Sequence, residues 1–273
     1  MSCGACPQLG TTEGNDLSRK IWEKKSKGLS GLDITVVAPS RWLAACATQS
    51  AIFRDCRVVC IPNGVPTDVF YPINRLDVRK ILKIAPDARV VLFGAENLGN
   101  HRKGFAYLLE ALRRYRTNTD IVLATFGALD PGISIDSPYP VMPFGGIHDE
   151  WNLACVYSMA DMLVIPSLED NLPNTVLEAM ACGTPVVGFD IGGISDMIEH
   201  KKTGYLATAG DVDGLVAGID WVLFKHDNIP FHENCRQRVE ASYAVPTQVA
   251  RFAILYSSLS GMNSYAEANR QVP

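Results

Sequence analysis

Short apolar runs alternate with amphipathic stretches of about ten residues along most of this chain. ARVVLFGA (88–95) and DIVLATFGA (120–128) read as strands, and FAYLLEALRRYR between them reads as a helix. YPVMPFG, DMLVIPS and TPVVGFD continue the strand pattern, with DEWNLACVYSMA and NTVLEAMAC as the intervening helices. ISDMIEH reads as a short helix, GYLATA as a short edge strand, and DVDGLVAGIDWVLF as a helix capped by Asp211. This alternation predicts an α/β fold: a parallel sheet with helices on both faces.

The alternation begins earlier but in fragments. After a polar start with one short helix around Ser18 to Lys27, LDITVVAPS reads as a buried strand. RWLAACATQSAIF (41–53) follows as a helix and RVVCI (57–61) as a second strand. PNGVPTDVFYP carries three prolines and a glycine, which makes it a linker. The expected organisation is therefore residues 1–62 as a small N-terminal piece, 63–72 as linker, and 73–245 as one complete Rossmann-like domain. Residues 246–273 form a last helix, expected to pack back toward the N-terminal piece. Val249, Phe252, Ala253 and Tyr256 have helical spacing there.

Composition removes several function classes. The formal net charge is −4, so there is no general footprint for nucleic acid or an anionic membrane. No apolar run is long enough for a membrane span. The first residues lack the basic and apolar regions of a signal peptide. A cytoplasmic setting is expected, with a peripheral position at the inner face of the membrane left open. The eight cysteines are scattered, and Cys60, Cys155 and Cys182 lie in apolar contexts, which suits reduced, buried thiols. Cys3-x2-Cys6 is half a zinc site by spacing, but no second such pair exists and a closed site needs four ligands.

The chemistry concentrates in PSLEDNLPNTVLEAMACGTPVVGFD (166–190). A strand ends at Pro166-Ser167, a polar loop follows, and a helix starts near Asn174. The carboxyl end of a strand feeding a helix N-terminus is where an open α/β sheet binds anionic ligands. Asp170 lies in the loop and Glu178 in the helix. Glu178 sits among Leu177, Ala179 and Met180, where an ionised carboxylate is expensive unless it has a partner. Upstream, Arg102 and Lys103 precede the helix at Gly104. Helix amides, a guanidinium and an ammonium together suit a diphosphate, although the spacing alone equally describes a solvated basic turn. Asp211-Val212-Asp213 has the letters of a metal-binding Asp-x-Asp, but it opens a helix, where Asp is an ordinary cap. His148-Asp149 likewise begins a helix.

The segment 166–190, with Gly192-Gly193 after it, resembles the donor-sugar signature of retaining family-four glycosyltransferases of the two-Rossmann GT-B type. Three further stretches match in order. VAPSRWLAA resembles the last strand-to-helix turn of the acceptor-side domain. IPNGVPTDVFYP resembles the interdomain linker. LFGAENLGNHRKGFAYLLEAL resembles the first strand-loop-helix of the donor domain. CGACPQLG also resembles a cysteine-rich element of some bacterial polysaccharide glycosyltransferases.

The resemblance implies transfer of a hexosyl unit from a UDP- or GDP-sugar to a glycan or lipid-linked acceptor, with retention and without a metal or other cofactor. Carried onto this sequence, Lys103 and Asp170 become the catalytic candidates. Arg102, Lys103, Asp170, Asn171, Leu172, Pro173, Asn174, Thr175 and Glu178 become the donor-binding set. Arg102 and Lys103 would hold the diphosphate, Glu178 the ribose hydroxyls, and Asp170 with residues 171–174 the sugar ring. The chain departs from the pattern at Gly94-Ala95, where relatives often have Gly-Arg, and Asp170 replaces the usual first glutamate. Two Rossmann-like domains need about 150–200 residues each, so residues 1–62 are read as a remnant of the acceptor-side domain. The alternative reading is a catalytically incomplete binding module, or half of a split enzyme that self-associates or takes a partner for its N-terminal half.

Overall fold

The computed structural model describes residues 3–129, 134–225 and 229–260. The chain divides into two compact units, Met1–Pro62 and Asn63–Pro273.

In the first unit, helix α1 (Leu17–Leu29) is started by Asp16, whose carboxylate accepts from the Arg19 amide at 2.9 Å. The same side chain accepts from the Cys6 amide at 2.8 Å, so it also fixes the Cys-x2-Cys loop. Strand β1 (Thr35–Ala38) runs parallel to β2 (Arg57–Cys60), with α2 (Arg41–Gln49) between them. Ser40 caps α2 by accepting from Leu43 N. The helix is shorter than the 41–53 expected. Ser50 takes an extended backbone, and its hydroxyl then accepts from Phe53 N, which diverts the chain into a turn. All eight cysteines are free thiols. Cys182 and Cys235 are buried and Cys155 is intermediate, but Cys60 is exposed at the end of β2, contrary to expectation.

The second unit holds a six-stranded, all-parallel sheet. Its strands are β3 (Arg89–Asn97), β4 (Ile121–Ala128), β5 (Val141–Pro143), β6 (Met162–Ile165), β7 (Val186–Phe189) and β8 (Gly204–Ala207). Their order is β5-β4-β3-β6-β7-β8. Counted from β3 this is 3-2-1-4-5-6, the doubly wound order with its reversal between β3 and β6.

The helices are α3 (Arg75–Ile81), α4 (Phe105–Arg114), α5 (Glu150–Met159), α6 (Asn174–Ala181), α7 (Ile194–Met197), α8 (Val212–Phe224), α9 (Phe231–Ser242) and α10 (Val245–Leu259). None of the described helices is long and apolar enough to cross a membrane. The strand period of two divides the core. Val90 and Leu92 join Tyr157, Leu177 and Val239 on one face. Val91 and Phe93 join Leu108, Leu112, Leu215 and Ile219 on the other. Coverage of both faces explains why the strands read as continuous apolar runs. α9 and α10 break at Tyr243-Ala244, and Pro246 lies in the first turn of α10, where proline is tolerated. Residues 261–273 of the expected last helix lie outside the described residues.

Helix α3 had no counterpart in the sequence reading. It is fastened by charge. Arg79 is 3% exposed and donates to the carbonyls of Met159, Pro86 and Ala88 and to Asp161 Oδ2 at 2.7 Å. Asp161 also accepts from Arg75 and from the Val90 amide, so both buried charges are well bonded. The proline-rich stretch after Asn63 is likewise held to the sheet unit. Val65 bonds Tyr243 and Val245 through its backbone. Arg236 on α9 donates to the carbonyls of Thr67, Phe70 and Ala181.

Candidate functional site

Three loops leave the carboxyl ends of β3, β6 and β7 and meet where the strand order reverses. The loop after β3 makes a tight turn at His101–Lys103, in which the Asn100 side chain accepts from Arg102 N. Gly104 then has φ +73°, and a Cβ there would lie 1.8 Å from the Pro166 carbonyl oxygen. Only glycine allows that approach. The contact is locked by Leu168 N donating to Arg102 O at 2.8 Å. The third loop closes in the same way. A Cβ on Gly192 would lie 1.9 Å from Asp170 O, and Gly193 N donates to that oxygen at 3.3 Å.

This backbone packing sets the side chains. Lys103 Nζ donates to Asp170 Oδ2 at 2.7 Å across the reversal point. The two side chains are 28% and 14% exposed, so the pair is screened less than a surface ion pair yet remains reachable. Ser167, fully buried, has its hydroxyl 3.4 Å from the same carboxylate oxygen. The N-cap positions of α4 and α6 are Gly104 and Pro173, and neither provides a capping side chain. Two helix N-termini without a capping side chain therefore accompany one ammonium.

Glu178 lies one turn into α6 and is partly buried. Its Oε2 accepts from Tyr157 Oη at 2.8 Å. Burial pushes the Glu178 carboxyl above its usual range, the Tyr157 hydrogen bond opposes that, and Glu150 adds to it. Burial also raises the Tyr157 hydroxyl far above its usual value, with Glu178 second, so the phenol stays protonated and donates.

The structure thus joins Lys103 directly to Asp170 and places Glu178 farther along the helix that follows. Arg102 is exposed and contributes its carbonyl to the loop contact. Leu172 and Pro173 are buried; Asn171 and Thr175 are intermediate. Asn174 is exposed, and its side chain accepts from Asn63 at 3.3 Å. Asp211 accepts from Gly214 N and caps α8, while Asp213 pairs with Arg114 at 2.9 Å. Among the described residues no group of three or more His, Cys, Asp or Glu is placed to hold a metal ion. Sequence reasoning missed Tyr157 and Ser167. Tyr157 is one more large residue on a buried helix face, and nothing local marks its hydroxyl.

Residues 88–224, from the start of β3 to the end of α8, match the family described as Glycosyl transferases group 1. This chain belongs to that family. As a group 1 glycosyltransferase family member it is 27% identical over 224 residues to a D-inositol 3-phosphate glycosyltransferase of Paenarthrobacter aurescens, covering 78% of this chain and 52% of the other. Its structure matches sucrose-phosphate synthase from Thermosynechococcus elongatus with a TM-score of 0.76 and 26% identity, over 94% of this chain and 64% of that one. Anabaena HepE, solved in complex with UDP-glucose, matches with a TM-score of 0.69 and 20% identity over 82% and 64%. The fold is therefore the Rossmann-like α/β architecture of GT-B glycosyltransferases. This chain spans about half the length of the curated relatives it matches.

Proposed function

We propose that this chain binds a UDP- or GDP-sugar and supports transfer of its hexosyl unit to a glycan or lipid-linked acceptor, with retention at the anomeric carbon. The observation that carries this is the Lys103–Asp170 pair at the point of strand reversal, flanked by the N-termini of α4 and α6. That is where a doubly wound sheet receives a nucleotide's phosphates. Family membership and the UDP-glucose bound to Anabaena HepE support the same ligand class.

In this reading Lys103, with Arg102 at the rim, holds the diphosphate. As the bond from the anomeric carbon to the diphosphate oxygen breaks, negative charge grows on the leaving group. The ammonium, which the free protein holds against Asp170, and the helix amides would stabilise that charge in the transition state. This donor set operates without a bound metal. Asp170 and the loop 171–174 face the sugar ring, and Glu178 accepts from the ribose hydroxyls. The acceptor hydroxyl oxygen bonds to the anomeric carbon on the face that the diphosphate leaves, and its proton passes to the departing diphosphate oxygen.

A thermal-shift screen with UDP, GDP and their sugars tests the reading. A ligand at about 100 times its Kd adds about 2.7 kcal/mol of stability. A saturable rise in Tm with one of the two nucleotide series, unaltered by EDTA, is expected. No rise with either series at millimolar concentration overturns the assignment.

A further inference from the structure

We infer that Tyr157 is a positioning residue for nucleotide binding: its hydroxyl holds one oxygen of Glu178 so that the other faces the ribose of the donor. This rests on the donor-site reading above and extends it to a residue outside the binding surface.

The argument starts from what the hydroxyl costs. The Tyr157 side chain is fully buried. Its ring packs edge-on against Phe126 at 5.6 Å and 89°, and against Phe70 at 6.3 Å. A phenylalanine would fill the same space and keep both contacts. A hydroxyl buried in such a setting must be bonded or it destabilises the fold. This hydroxyl donates to Glu178 Oε2 at 2.8 Å. Core packing therefore accounts for the ring and not for the oxygen.

The bond is also well placed to orient a carboxylate. Glutamate has three side-chain torsions, and its ordering is entropically unfavourable. Tyr157 reaches Glu178 from α5, and its own backbone is fixed there, since its carbonyl accepts from the buried Thr184 hydroxyl at 2.8 Å. A carboxylate held at one oxygen by a rigid donor presents the second oxygen in one direction. That oxygen has two lone pairs and can accept from the hydroxyls of a vicinal diol. Burial raises the phenol far above its usual value, which keeps it the donor to an ionised Glu178.

The test compares UDP, or GDP if it binds more tightly, with its 2′,3′-dideoxy analogue, by calorimetry on the purified chain. Wild type, Tyr157→Phe and Glu178→Gln are measured. Wild type should prefer the ribonucleotide by roughly tenfold or more, the range for hydrogen bonds to a charged group. Tyr157→Phe should bind the ribonucleotide about 2- to 12-fold more weakly, with the dideoxy analogue unchanged, so the preference narrows. A merely structural tyrosine would weaken both ligands equally, and that result overturns the inference. So does an unchanged preference in Tyr157→Phe while Glu178→Gln loses it. If Glu178→Gln itself keeps the full preference, or neither nucleotide binds, the donor-site reading fails first and takes this inference with it.

Discussion

Replacing Lys103 by alanine separates phosphate binding from everything else the site does. In the free protein the substitution removes the 2.7 Å bond to Asp170 and leaves that carboxylate with the longer Ser167 contact. The pair is neither fully exposed nor fully buried, so the fold should lose about 1–2 kcal/mol. Bound diphosphate should lose one charge-assisted hydrogen bond, worth about 1.5–3 kcal/mol, which raises the Kd for UDP or GDP roughly 10- to 150-fold. The bare nucleoside has no charge for Lys103 to meet and should bind as before. The difference between wild type and variant should also shrink as salt rises, because part of it is Coulombic. Calorimetry with nucleoside, monophosphate and diphosphate, beside a urea melt, measures each quantity. Equal loss for nucleoside and diphosphate would mean that Lys103 supports the fold and not the phosphates. An unchanged diphosphate Kd would place the phosphates elsewhere.

Three further substitutions probe other parts of the structure. Asp161→Asn leaves the buried Arg79 guanidinium without its counter-charge and should cost about 3–5 kcal/mol, a fall of about 6–20 °C in Tm by calorimetry; a change under about 1 kcal/mol would contradict the buried network. Glu178→Gln should raise the Tm of the free protein at pH 7.5. The folded carboxyl titrates above its unfolded value of about 4.3, so its favourable contribution is complete below that pH and lost as pH rises through the folded pKa. The gap between the two proteins should therefore close in acid, and a gap independent of pH would argue against a buried ionised Glu178 beside Tyr157 and Glu150. Gly104→Ala forces a Cβ to 1.8 Å from Pro166 O at a left-handed φ; UDP or GDP titrations should show weakened binding together with a lowered Tm, and wild-type behaviour in both would show that the two loops can part freely.

The sheet was legible because its strands are buried on both faces. Runs such as Val90 to Phe93 need no alternation to be recognised when a helix follows each one. Helix α3 was not legible. It is seven residues long and carries Arg75, Asp77, Arg79 and Lys80, so its apolar face is thin. Its stability comes from Asp161, more than eighty positions away, and no local pattern reports such a partner. The same limit applied at the site. Loop position, apolar context and helix onset draw attention to Asp170, Glu178 and Lys103, but it is the family resemblance that makes them candidates. That Lys103 and Asp170 bond to each other, and that Glu178 leans on Tyr157, depends on which strands are neighbours. The strand order, not the residue types, brings the loop after β3 against the loop after β6.

The three carbonyls gathered by Arg236 bear on where this polypeptide can be cut. Thr67 and Phe70 lie in a stretch whose prolines suggest a disposable tether, yet their carbonyls share one guanidinium with the last turn of α6. A fragment beginning at Ile73 would strip that guanidinium of two of its acceptors and remove the Phe70 ring that covers Tyr157, the residue behind Glu178. A fragment beginning at Asn63 keeps both. The serviceable amino-terminal border of the sheet unit lies between Pro62 and Pro66, and a protease seeking an easy bond should pass over the stretch from Val65 to Phe70.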